Sequence, residues 1–107
     1  MKQLVWLILL VAAVFEAGGD AIMRIGLRGR GPWFIFLGCL VLGSYGAMIN
    51  IVRWDFSKLL GVYVGVFALV SVLIGRFLLG EEIPMSTWIG LLVIICGGLI
   101  IQFGSEI

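Results

Sequence analysis

Four long apolar runs, separated by short charged breaks, dominate the chain. A membrane-spanning helix needs roughly 20 mostly apolar residues. Counting between charges predicts helical spans over residues 4–23, 33–52, 59–79 and 87–103. The breaks carry the chemistry of chain ends in water. The first is Arg24-Ile-Gly-Leu-Arg-Gly-Arg-Gly-Pro32, the second Arg53-Trp-Asp-Phe-Ser-Lys58, and the third Gly80-Glu-Glu-Ile-Pro84. Trp6, Trp33, Trp54 and Trp88 all fall near predicted span ends, where aromatic belts sit. The N-terminus begins like a secretory signal, with Lys2 followed by an apolar stretch. That stretch continues past Glu16 to Met23 without a small-residue cleavage site, so it reads as a span.

Composition points the same way. Hydrophobic residues make up 63% of the 107 and charged ones 12%, against about 25% charged in an ordinary soluble domain. The mean hydropathy is +1.26. Thirteen charged side chains cannot cover a soluble globule of this length. The expectation is an all-α membrane protein, a single four-helix transmembrane domain over residues 1–107. No break is long enough for a soluble catalytic domain, so no enzyme is expected. Histidine is absent, which removes the commonest metal ligand and general base. Cys39 and Cys96 lie inside apolar runs and read as buried thiols, not as a disulfide or zinc site. No metal and no cofactor are expected. A net charge of +1 gives no reason to expect a nucleic-acid partner.

Against this background, acids inside a span are informative. Glu16 lies well within span one, too deep to reach water easily. A charge there costs roughly 3 kcal/mol on insertion scales. Such a carboxyl pairs, faces a cavity or holds a proton. It is a candidate proton and substrate site, the plainer alternative being a protonated packing group. Asp20 and Arg24 follow at intervals of four, on the same helix face. Asp20 is either an interfacial partner of Arg24 or a second carboxylate at the mouth of the site. Gly18 and Gly19 thin the helix beside them. Arg76, Glu81 and Glu82 read as an interfacial charge cluster.

Tyr63 stands between Gly61 and Gly65 in span three. It could hydrogen-bond Glu16, stack on a cation or simply pack. The two glycines suit either a kink or close helix packing. Ser44 and Tyr45 are weaker polar candidates in span two. In span four, Gly90 and Gly97 are two turns apart and share one face. That span carries no charge, so the face reads as a helix–helix interface.

These features together resemble the small multidrug resistance family, a branch of the drug/metabolite transporter superfamily. The resemblance covers the whole chain. It rests on four short spans, on Ala13-Val-Phe-Glu16 with Met23-Arg24 closing span one, on Phe77-Leu-Leu-Gly80-Glu before Pro84, and on Gly90-Leu-Leu-Val-Ile-Ile-Cys-Gly97-Gly98. It implies an antiparallel homodimer in the plasma (inner) membrane of a prokaryote, exchanging protons for small hydrophobic or cationic compounds. The two copies of Glu16 would share one pocket, and Gly90 and Gly97 would form the dimer interface. Gly19 stands where the guanidinium-exporting branch prefers Trp. The family's Ala-Tyr-Ala-x-Trp run is replaced by Leu59-Leu-Gly-Val-Tyr63, with Leu60 at the position of a substrate-lining Tyr. Asp20 is an added acid. A divergent branch remains the alternative, such as a subunit of a lipid-carrier flippase.

Charge distribution bears on orientation. Lys2, Arg53 and Lys58 flank one membrane side, and Arg24, Arg28, Arg30 and Arg76 the other. Lys and Arg near short loops set topology, and here they nearly balance. The expectation is dual topology, with both orientations pairing antiparallel.

Overall fold

The computed structural model describes residues 2–104, apart from the side chain of Lys2. Lys2, one of the charges weighed for topology, therefore has its side chain outside the described residues. The fold is all-helical. Helix α1 spans Lys2–Ile25, α2 Pro32–Asn50, α3 Phe56–Phe77 and α4 Met85–Phe103. All four are long and apolar enough to cross a membrane. Even the 19-residue helices reach about 28 Å at ~1.5 Å per residue, close to a hydrocarbon core of roughly 30 Å.

The helix ends follow from local chemistry. Past Ile25 the chain winds through one wide turn, Gly26–Arg30. Gly29 and Gly31 there have φ of 120° and 103°, which side-chain-bearing residues rarely adopt. Pro32 then opens α2, where its missing N–H costs nothing. Helix α2 ends at Asn50, two residues short of the expected limit. The Asn50 side-chain amide donates back to the Gly46 carbonyl at 2.8 Å. Helix α3 starts at Phe56, ahead of the expected Leu59, because Ser57 and Lys58 are accommodated in its first turn. It stops after Phe77. Gly80 then takes φ of 69°, and the Glu81 N–H closes on the Gly75 carbonyl at 2.9 Å.

Helices α1 and α2 form one compact unit, and α3 and α4 form a second. Each is a helical hairpin with a thin core and a broad apolar exterior. In the first, Leu9, Ala12 and Ala13 are fully buried, while Leu7, Leu10 and Val14 are exposed. In the second, Leu59, Val62, Tyr63 and Leu91 are buried, while Leu92, Val93 and Ile100 are exposed. Apart from the Tyr63 phenol, no polar or charged side chain is buried among the described residues. Exposed apolar side chains on this scale suit a lipid solvent.

Cys39 and Cys96 differ from expectation in that these free thiols are exposed, not buried. The apolar runs that contain them are helix exterior, not protein core.

Aromatic and basic groups meet at the helix ends. The Lys58 amino group lies 4.8 Å from the Trp54 ring centroid. Arg30 lies over Phe34 and Arg76 over Phe77, at 5.9 and 5.7 Å. Such pairs suit the headgroup level, where one part of each side chain is apolar and the other polar.

Candidate functional site

Small residues set the α1–α2 seam. A Cβ added to Gly19 would sit 2.8 Å from Leu42 Cγ and 3.3 Å from the Leu42 backbone nitrogen. One on Gly38 would sit 3.0 Å from the Met23 nitrogen, and one on Gly26 would sit 2.8 Å from the Ile35 nitrogen. Three levels of the hairpin are thus fixed: Gly26 with Ile35, Met23 with Gly38, and Gly19 with Leu42. Along each helix these positions are spaced alternately three and four apart, the interval that keeps one face turned to a neighbour. The next level in the same register pairs Glu16 with Tyr45. Beyond it lie Ala12 with Ile49, both buried, and Leu9 with Val52, also buried.

The Glu16–Tyr45 level is the one in this seam built from polar side chains. Both residues are half-buried. The Tyr45 hydroxyl lies in the electrostatic field of Glu16 and, more weakly, of Asp20. Asp20 is one turn further along α1 and exposed. Ser44, next to Tyr45, is also exposed, and its hydroxyl donates to the Leu40 carbonyl in its own helix at 3.0 Å. The fold therefore sets Glu16 and Tyr45 at one level of the first hairpin, with Asp20 a turn along α1, and turns Ser44 toward its own backbone. A carboxyl and a phenol at this depth can exchange a proton, accept a cation and trade hydrogen bonds, all without a metal.

Tyr63, Gly61 and Gly65 belong to the second hairpin. Tyr63 is 4% exposed, and its ring stacks on Phe67 with centroids 6.1 Å apart. Helix α3 runs unbroken through Gly61 and Gly65. A Cβ on Gly61 would meet Ile101 Cδ1 at 2.6 Å, and one on Gly65 would meet the Ile94 carbonyl at 3.8 Å. Gly98 completes the crossing: its Cβ would lie 3.8 Å from the Val62 carbonyl. Away from this crossing the helices part. The gap is a largely apolar cavity of about 280 Å³ lined by Ala68, Ser71, Val72, Thr87, Gly90 and Leu91.

Gly90 and Gly97 stand apart from that crossing. A Cβ on either would meet nothing within 4 Å. Gly97 and its neighbour Gly98 therefore differ in role, Gly98 facing α3 and Gly97 leaving its surface bare. At the far end of α3, the Glu81 carboxylate occupies the space a Gly75 side chain would need. The third break is folded back onto its own helix end.

Reading the sequence alone understated Tyr45 and passed over Gly38 and Leu42. The signal was present as the three-and-four spacing of Gly26, Met23, Gly19, Ala12 and Leu9 with Glu16 among them. Pairing that row with α2 requires the geometry of the turn.

Comparison with known proteins places the chain. The family model described as "Uncharacterised BCR, YnfA/UPF0060 family" matches residues 3–106. The chain belongs to the UPF0060 family. A UPF0060 membrane protein of Clavibacter sepedonicus is 33% identical over 94 residues, covering 86% of this chain and 84% of its own. One from Arthrobacter sp. (strain FB24) is 31% identical over 102 residues, covering 94% and 90%. One from Halalkalibacterium halodurans is 29% identical over 90 residues, covering 82% and 83%. No solved structure matches the chain. These UPF0060 relatives are named as membrane proteins, in keeping with four helices able to span a bilayer.

Proposed function

We propose that this UPF0060 protein is a proton-coupled antiporter that exports small hydrophobic or cationic compounds across a prokaryotic inner membrane. The observation that carries this reading is Glu16. It is a carboxyl in the middle of a span-length helix, placed in a seam whose other fixed levels are small or apolar. An ionisable group at this depth is costly and by default marks a functional site. The resemblance to the small multidrug resistance family, on the residues quoted above, adds the antiport chemistry and the antiparallel homodimer.

The coupling follows from competition. A proton and a cationic substrate both require the Glu16 carboxylate, so each displaces the other. Exclusive occupancy converts a proton gradient into substrate movement without a separate gate. Four helices enclose a substrate path poorly, and two copies in opposite orientations would bring both Glu16 side chains to one pocket. Exchange of conformation between the two copies then makes inward-facing and outward-facing states equivalent. The bare Gly97 surface of α4 provides room for close approach of a second copy.

The test is proton release from purified protein in weakly buffered detergent, on addition of a panel of organic cations and amphiphiles. A compound that is transported releases protons from the wild type and none from Glu16→Gln. Release that persists in Glu16→Gln, or a panel that releases none from the wild type, contradicts the reading.

A further inference from the structure

The second hairpin is tight at one end and open at the other. At the tight end α3 and α4 meet at backbone distance: a Cβ on Gly98 would fall 3.8 Å from the Val62 carbonyl. Toward the third break the small residues no longer meet a neighbour. A Cβ on Gly90 would stand in open space, and Gly90 and Ala68 line the same gap. The gap is the cavity of about 280 Å³. Ligand cavities run from roughly 300 Å³ upward, so this one suits a single ring or one slender alkyl chain. Val72 and Leu91 make its walls apolar, and the Ser71 hydroxyl donates to the Ala68 carbonyl at 3.0 Å. Ala68, Ser71, Val72 and Gly90 are half-buried, so the cavity opens at the surface of the hairpin.

A carboxylate stands at the outer end of this cavity. Ser71 and Val72 are followed on the same face of α3 by Gly75, four and three residues on. Gly75 has no side chain, and the Glu81 carboxylate fills the space one would need. The backbone holds it there. Gly80 turns the chain with φ of 69°, and the Glu81 N–H donates to the Gly75 carbonyl at 2.9 Å. Glu81 thus lies about one helical turn, roughly 5 Å along the axis, beyond the last α3 residues of the cavity. The charges nearby leave this end negative. Glu82 adds a second carboxylate, and Arg76 is the only basic residue from Leu59 to the C-terminus. The Arg76 guanidinium lies over the Phe77 ring, 5.7 Å from its centroid. Phe77 leaves the helix about 200° round from Gly75, away from the mouth of the cavity.

We propose that the α3–α4 cavity, with Glu81 at its mouth, is a second ligand site that takes a lipophilic amine: the apolar tail in the cavity and the ammonium on the Glu81 carboxylate. The lining selects an apolar tail, and the mouth selects a positive head over a negative or neutral one. Such a cation, dissolved in a bilayer, keeps its tail in hydrocarbon and its head at the headgroup level, as lysine side chains do when they snorkel. The break between two span-length helices sits at that level. The site is built from α3, α4 and the third break alone. It goes beyond the antiport reading and stands without Glu16 or proton exchange.

Photolabelling of the full-length protein in phospholipid liposomes tests this. Gly75 to Ala68 covers about 10 Å along α3, which an extended octyl chain matches. The probe is octylammonium with a diazirine at the tail end, and its control is octanol with the same diazirine. Peptide mass spectrometry locates the attached tail. The amine labels residues 68–72 and 87–94, and excess unlabelled octylammonium suppresses that labelling. The alcohol labels the same residues about fivefold less, the preference one ion pair gives. Glu81→Gln keeps the shape and the backbone bond to Gly75 and brings the amine down to the level of the alcohol. Gly90→Leu fills the cavity and abolishes labelling of its lining. Equal labelling by amine and alcohol, or amine labelling unmoved by Glu81→Gln, overturns the proposal. The comparison of amine with alcohol needs no substitution, so it decides even where a variant misfolds. Labelling of the lining persists in Glu16→Gln, and its loss there would overturn a separate site. If no cation releases protons from the wild type yet the lining is labelled through Glu81, only the antiport reading falls.

Discussion

Gly19 and Leu42 hold the first hairpin at a separation that admits no further carbon: a Cβ on Gly19 would fall 2.8 Å from Leu42 Cγ. This contact sets the level at which Glu16 faces α2. Gly19→Ala is therefore expected to destabilise the hairpin by about 1–3 kcal/mol, the usual cost of overpacking. Gly18→Ala, whose Cβ would meet nothing within 4 Å, leaves stability unchanged. Thermal or SDS unfolding of the two variants in detergent checks the difference. Leu42→Ala combined with Gly19→Ala relieves the side-chain collision and recovers part of the loss.

The adjacent glycines of α4 are expected to separate two kinds of assembly. Gly98→Leu forces a side chain toward the Val62 carbonyl and Gly65, so it disrupts the α3–α4 hairpin itself. At Gly97 an added Cβ meets nothing within 4 Å, so the fold is expected to survive Gly97→Leu while self-association weakens. Circular dichroism melting reads the first effect, and cross-linking or sedimentation in detergent reads the second. An unchanged oligomer in Gly97→Leu moves the interface to another face.

The two carboxylates of α1 are expected to differ in weight. Asp20 is exposed and more weakly felt by Tyr45 than Glu16 is. Asp20→Asn lowers transport only a few-fold, whereas Glu16→Gln abolishes coupling. In the wild type, substrate affinity falls as pH drops, because a proton on Glu16 removes the charge that attracts the cation. Equilibrium binding of a transported cation from about pH 9 down to about pH 4, the ordinary carboxylate value, measures the pH effect, and transport assays of the two variants measure the other. Affinity that is flat over this range contradicts a shared site.

Much of the fold was legible in the chain because the breaks are chemically abrupt. Arg24 to Pro32 concentrates glycine, arginine and proline where α1 gives way to α2, so the spans could be counted between charges. Helix ends shifted where side chains chose differently from charge, as when Asn50 turned back on Gly46 and when Lys58 entered α3 and met Trp54. Glu16 stood out because an acid in a span is expensive whatever surrounds it. Tyr45 was less visible, since a phenol in an apolar run is ordinary until its facing residue is known. That facing residue depends on the Gly26–Arg30 turn, whose width no periodicity reveals. Gly97 stood out by its seven-residue spacing from Gly90, but adjacent glycines point about 100° apart on a helix, and only packing shows that Gly98 is the one that meets α3. The cysteines misled because apolar neighbours signify lipid contact here, not a protein core.

Topology offers a test of antiparallel pairing. The near balance of Lys2, Arg53 and Lys58 against Arg24, Arg28, Arg30 and Arg76 predicts that one gene product inserts both ways. Two lysines added at the C-terminus shift the population toward a cytoplasmic N-terminus, and two added in the first break shift it the other way. Labelling a single cysteine placed at the C-terminus, in a background lacking Cys39 and Cys96, counts both populations in cells. A single orientation in the wild type contradicts dual topology.

The most direct measurement of the central claim is uphill transport by the purified protein in sealed liposomes carrying an imposed pH gradient. The wild type accumulates a cation identified by proton release against its own concentration gradient, and accumulation ends when a protonophore collapses the pH difference. Glu16→Gln, folded by its melting curve, accumulates none. Uphill accumulation by Glu16→Gln, or wild-type accumulation that survives the protonophore, would contradict proton exchange at Glu16.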